Sequence, residues 1–178
     1  MVDLTRTYWV GSLADYNEGR LHGEWFDALL EPDELALAAR FMLRSSRVRG
    51  AEEWGIFDYD EFYGVELGEY ASFETIVKVA RGLAEHGEAF GGHWAAYVHN
   101  DVERVDQFED HFRGEWASFR AYLEDLDECG SLRFLDDIPE DMRDYVEVDY
   151  DGLARDWEGD FHVAETVRGT VLVYELDT

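Results

Sequence analysis

Apolar residues along this chain fall into short two-residue alternations and longer runs of three-and-four spacing, which predicts small sheets interrupted by helices. Tyr8, Trp9 and Val10 predict a strand, Tyr16-Asn17-Glu18-Gly19 carries turn chemistry, and the stretch from Glu24 to Leu29 predicts a returning strand. Pro32 suits a first helical turn, Asp33 and Glu34 favour its N-terminus, and Leu35, Ala38, Ala39 and Met42 recur at helical spacing. Arg40 and Arg44 stand near the C-terminal end of that helix, where compensating the dipole takes precedence over binding phosphate. Trp54 to Tyr59 predicts a third strand, and Gly64, Gly68 and the polar residues between them a boundary.

Beyond it, Ser72 is placed to cap a helix bearing Phe73, Ile76, Val77, Ala80 and Leu83, which ends near Gly87. A second short helix is expected after Gly91-Gly92, through Trp94, Tyr97 and Val98. This middle segment is too small to hold a core alone and must pack on a neighbour. Trp116, Phe119, Leu123 and Leu126 predict one apolar helical stripe, with Glu124, Asp125 and Glu128 on the opposite face. With Asp127 these acids crowd the last turn before Gly130, where they oppose the macrodipole; helix stability alone does not put four acids there. Pro139 opens a short helix through Met142, and Tyr150 to Trp157 predicts another. Phe161 to Val167 and Thr170 to Leu176 alternate as strands, joined at Arg168-Gly169 as a hairpin. The fold class is therefore α+β, in two or three small modules in contact, built from an N-terminal sheet with a helix (1–68), a helical middle (69–108), and helices with a β-hairpin (109–178).

Charge changes the picture more than any motif. Among 178 residues, 42 are Asp or Glu and 15 are Lys or Arg, for a net charge of −27. It is unevenly spread: −2 over residues 1–50, −9 over 51–105 and −16 over 106–178. Such a surface repels nucleic acid and anionic lipid, since binding either depends on cations neutralising phosphate. Duplex DNA carries one charge per ~1.7 Å of axis, so an equal charge occupies about 46 Å of duplex. A compact chain of this length is roughly 40 Å across, so its charge per unit length is comparable to DNA. The 27 aromatic residues argue against disorder. They also fit poorly with a second reading of the acidity, adaptation to a salty cytoplasm, although Lys78 is the only Lys. No leader-like apolar segment follows Asp3 and Arg6 and no run approaches the roughly 18 apolar residues of a membrane span. With a single Cys129 there is no internal disulfide framework, and a cytoplasmic protein without membrane contact is expected.

Chemistry beyond charge is sparse. The chain has no Gly-rich phosphate loop, no GxSxG elbow and no HExxH, and any two of so many carboxylates form a nominal acid–base pair, so no enzyme activity is expected. Asp127 and Glu128 beside Cys129 raise its thiol pKa and disfavour a nucleophile. His93 and His99 cannot share a helical face, and glycines separate His86 from His93, against a zinc site. Glu147, Asp149, Asp151, Gly152 and Glu158 fall at the spacing of a calcium loop, but with Glu at the first position and Arg155 at the ninth. A divalent-cation binder is the third class considered; no cofactor is otherwise expected.

The segment YWVGSLADYNEGRLHGEWFDA (8–28) resembles the start of the ArdA-type antirestriction proteins. The similarity runs on in order through EWGIFDYD (53–60), GEYASFETI (68–76), FRGEWASFRAYLED (112–125) and DIPEDMRDYVEVDYDGLARDW (137–157). It implies an elongated, homodimeric α+β protein of three small domains that mimics bent B-form DNA. Such a protein occupies the DNA groove of a type I restriction–modification enzyme and protects incoming mobile-element DNA. The segment matching 126–145 resembles the family's antirestriction motif and implies dimer contacts by Leu126, Leu132, Phe134, Leu135, Ile138, Met142 and Tyr145. The Arg-rich stretch 44–49 and the Ala- and Gly-rich run 87–96 depart from the family pattern, and the calcium-like spacing corresponds to a helix in it. The acids expected to face the enzyme are Glu66, Glu69, Glu74, Asp101, Glu103, Asp106, Glu109, Asp110, Glu115, Glu124, Asp125, Glu128, Asp136 and Asp137.

Overall fold

A computed structural model describes residues 6–98, 102–132 and 137–177, the side chains of Val102, Arg143 and Asp144 aside. The chain is mixed α+β and gathers into two compact units, 1–106 and 107–178.

In the first unit, β1 (Thr7–Ser12) is the centre of a three-stranded antiparallel sheet, flanked by β2 (Gly23–Asp27) and β3 (Trp54–Asp60). The turn chemistry around residue 16 takes the form of a one-turn helix, α1 (Leu13–Asn17), closed by Gly19 at φ 75°. Ser12 caps it, accepting from the Asp15 N–H. Helix α2 (Pro32–Arg44) begins with a reciprocal capping box between Glu31 and Glu34. It packs on β1 and β2, burying Leu35, Ala39 and Met42 against Tyr8, Val10 and Phe26. Burial of each such side chain contributes about 1.5–3 kcal/mol.

The segment around Gly64 and Gly68 is held against β3. Phe62, Val65 and Leu67 are buried, the Ile56 N–H donates to Glu69 O at 2.9 Å, and Tyr59 Oη donates to Leu67 O at 2.7 Å. Helix α3 (Phe73–His86) starts at Ser72, whose hydroxyl accepts from the Thr75 N–H, ends before Gly87 at φ 56°, and packs on α2. The expectation for the next helix needs correction. Helix α4 (Glu88–His93) contains Gly91 and Gly92 instead of following them, and Trp94–Val98 continues as a π-helical turn. The reason is close approach: a Cβ on Gly91 would lie 3.1 Å from Tyr63 O, and one on Gly82 of α3 would meet the Phe90 ring at 2.3 Å. These glycines let α4 press against its neighbours, so they do not break it. A 3₁₀ helix, Val102–Gln107, leads out of this unit.

The second unit opens with α5 (Phe108–His111) and β4 (Phe112–Trp116). Trp116 therefore lies in a strand and not on the helical stripe that was expected to include it. Ser118, extended at φ −162°, caps α6 (Phe119–Glu128) by accepting from the Ala121 N–H, so the helix cannot begin earlier. The C-terminal hairpin, β5 (Phe161–Glu165) and β6 (Val171–Glu175), is also more than a hairpin: β4 pairs with β6, giving the order β4-β6-β5. Tyr122, Leu123 and Val173 form the core, covered by Trp116, Phe119, Leu126, Tyr150, Leu153, Trp157 and Phe161. Glu140–Tyr145 is a 3₁₀ helix, with the Met142 N–H donating to Pro139 O at 2.8 Å. Tyr150–Asp156 is α7.

Candidate functional site

The expected acids separate by what holds them. Glu74 sits in the first turn of α3; its own backbone N–H, then the Ser72 hydroxyl, hold its carboxyl below the usual range, so it is ionised at neutral pH. Glu66 and Glu69 are exposed on the segment that folds back along β3, Glu103 on the 3₁₀ helix, and Glu109 and Asp110 on α5. Asp137 is exposed as well. Three others are offset by a base: Asp106 by Lys78 at 2.6 Å, Glu115 by Arg168 at 2.9 Å, and Glu124 by Arg120 at 2.8 Å. Asp101 and Asp136 lie outside the described residues.

At the C-terminal end of α6 the four acids have different partners. Glu124 meets the base one turn earlier, and Asp127 accepts from Tyr150 Oη at 2.5 Å. That hydrogen bond pushes the Tyr150 phenol up to about 12, which keeps it a donor. Asp125 receives only the Cys129 Sγ at 3.8 Å, and Glu128 is exposed; the last turn carries no basic residue.

A further dense run of exposed acids lies outside the set expected to face the enzyme, four of its members having the calcium-like spacing instead. Glu140, Asp141, Glu147, Asp149, Asp151, Asp156, Glu158 and Asp160 are all exposed and follow Asp137 within 23 positions. Local acid count was the signal available, but the calcium-like spacing drew attention instead. In the structure that spacing is not a loop: Asp149 is the N-cap of α7, its carboxylate accepting from the Gly152 N–H at 2.9 Å. Among the described residues no three His, Cys, Asp or Glu gather as a metal site.

The residues matching the antirestriction motif divide similarly. Leu132 is buried and Leu126 packs on the core of its own unit, whereas Met142 is 50% exposed and Tyr145 83%. Ile138 is half-buried; Phe134 and Leu135 lie outside the described residues. Among the described residues no helix is long and apolar enough to cross a membrane.

No curated protein matches the chain. A family model described as antirestriction protein (ArdA) matches residues 8–172, a span that includes every helix from α1 to α7 and ends inside β6. The chain thus belongs to the ArdA antirestriction family, whose members are inhibitors and not enzymes, and that membership supports an antirestriction function.

Proposed function

We propose that this protein inhibits type I restriction–modification enzymes as a DNA mimic, presenting carboxylates where the enzyme's groove expects phosphates. The observation that carries the reading is the run of exposed acids between Asp137 and Asp160, of which, among the described residues, only Asp151 is paired with a base, on a chain of the ArdA family. A groove lined with cations for DNA attracts such a surface by the same steering and counter-ion release. A polypeptide offers no phosphodiester to cleave, so it acts as an inhibitor and not as a substrate.

Glu66, Glu69, Glu74, Glu109, Asp110, Asp125, Glu128 and Asp137, for which the described residues show no ion pair, belong to that surface together with Glu140, Asp141, Glu147, Asp149, Asp151, Asp156, Glu158 and Asp160. In this reading the protein is cytoplasmic, elongated in three small domains, and homodimeric. The exposed apolar side chains Met142, Tyr145 and Val146 supply part of the dimer contact. Purified protein added to a type I restriction or methylation assay at low salt is expected to inhibit near-stoichiometrically, with duplex DNA competing. Absence of inhibition against several such enzymes overturns the proposal.

A further inference from the structure

In a chain with nearly three acids for every base, a cluster of neighbouring arginines without a carboxylate partner among the described residues stands out, although Arg155 is likewise exposed with no such partner. Arg20, Lys78, Arg81, Arg113, Arg120 and Arg168 all have one within 4.0 Å. Arg40, Arg44, Arg47 and Arg49 are exposed, and no ion pair joins them to any described carboxylate. Three of them, Arg40, Arg44 and Arg49, line one cavity of about 480 Å³, with Ser46, Gly50 and a single carboxylate, Glu52, on its wall.

Dipole compensation at the end of α2 accounts for Arg40 and Arg44 but not for Arg49, which lies beyond the helix. Three of the terminal carbonyls of that helix are already hydrogen-bonded. Phe41 O and Met42 O accept from the Ser45 N–H, Met42 O also from Ser45 Oγ at 2.7 Å, and Leu43 O from the Ser46 N–H at 3.1 Å. The loop carrying Arg47 and Arg49 is held from below: Ser46 Oγ donates to the buried Asp15 carboxylate and accepts from the Val48 N–H at 2.9 Å. Gly50, at φ 81°, completes the turn. A fixed loop loses little freedom when it binds.

We propose that Arg40, Arg44 and Arg49 form a binding site for a small polyphosphate anion of the nucleoside di- or triphosphate class. Three arginines on the wall of one cavity put several positive charges near a small volume, which a pyrophosphate matches and a lone carboxylate does not. The cavity falls in the size range of small-molecule sites. An extended polyanion would meet the remaining charge of the chain, whereas a compact one is screened from it beyond about 8 Å at physiological salt. The site shares no residue with the proposed acidic surface, so its failure leaves the inhibitor reading intact.

Calorimetry on the full chain tests this, with pyrophosphate, ATP and octaglutamate as separate probes at low salt. Saturable one-site binding of pyrophosphate or ATP is expected. Arg44→Gln with Arg49→Gln weakens it about tenfold or more, as loss of charged hydrogen bonds implies, while Arg168→Gln leaves it unchanged. Equal affinity for the two phosphate probes assigns recognition to the phosphates alone; tighter ATP binding adds a nucleoside contact. Absence of phosphate binding, indifference to the double substitution, or preference for octaglutamate overturns the proposal. Should the double variant lose its far-UV dichroism, Arg40→Gln and Arg49→Gln alone decide the same question.

Discussion

Tyr8 is fully buried between the sheet and α2, and its hydroxyl has no hydrogen-bond partner among the described residues. Burial, with lesser contributions from Tyr59 and Asp27, pushes its phenol above the ordinary range, so the group stays neutral and still lacks an acceptor. A buried unsatisfied hydroxyl costs about 1–3 kcal/mol. The ring itself contributes, standing edge-on to Phe26 with centroids 6.0 Å apart. Tyr8→Phe keeps the ring and removes the orphan, and is expected to raise unfolding stability by roughly 1 kcal/mol, read as a higher urea midpoint at unchanged slope. A lower midpoint would mean that the hydroxyl has an acceptor after all.

Elements bounded by side-chain chemistry were legible in the sequence. Ser72 and Gly87 enclose α3 as a cap and a left-handed stop, and Pro32 with Asp33 and Glu34 opens α2. What misled was residue type without packing context. Trp116 has the spacing of a helical residue, yet Ser118 starts the helix later and Trp116 pairs with Val171 across the sheet. Gly91 reads as a helix breaker until the Tyr63 backbone is seen against it. Both turn on contacts distant in sequence, which periodicity does not encode. At the end of α6 the sequence showed an unfavourable cluster of acids, and the structure separates them. Glu124 is paired with Arg120 and Asp127 accepts from the Tyr150 hydroxyl, whereas the described residues show no partner for the exposed Glu128. Glu128→Gln is therefore expected to stabilise the protein by about 0.3–1 kcal/mol, and Asp127→Asn, which weakens the bond to Tyr150, to destabilise it. Thermal melts of the two variants check the opposite signs. If Glu128 faces the enzyme, the more stable variant is also the slightly weaker inhibitor.

For the whole molecule, a charge of −27 acts in two directions at once. Like charges repel within the folded chain more than in the expanded one, so screening them favours folding. The same screening weakens attraction to a cationic groove, and both effects grow as the Debye length falls from about 30 Å at 0.01 M salt to about 8 Å at 0.15 M. Melting temperature and inhibition should accordingly move oppositely over that range, the protein becoming more stable and the inhibition weaker. A fold merely adapted to concentrated salt follows the first trend alone and unfolds in dilute buffer. Paired measurements on one preparation separate the cases: inhibition that is insensitive to salt while the melting temperature rises would mean that contacts other than carboxylates hold the enzyme, and would remove the physical basis for mimicry.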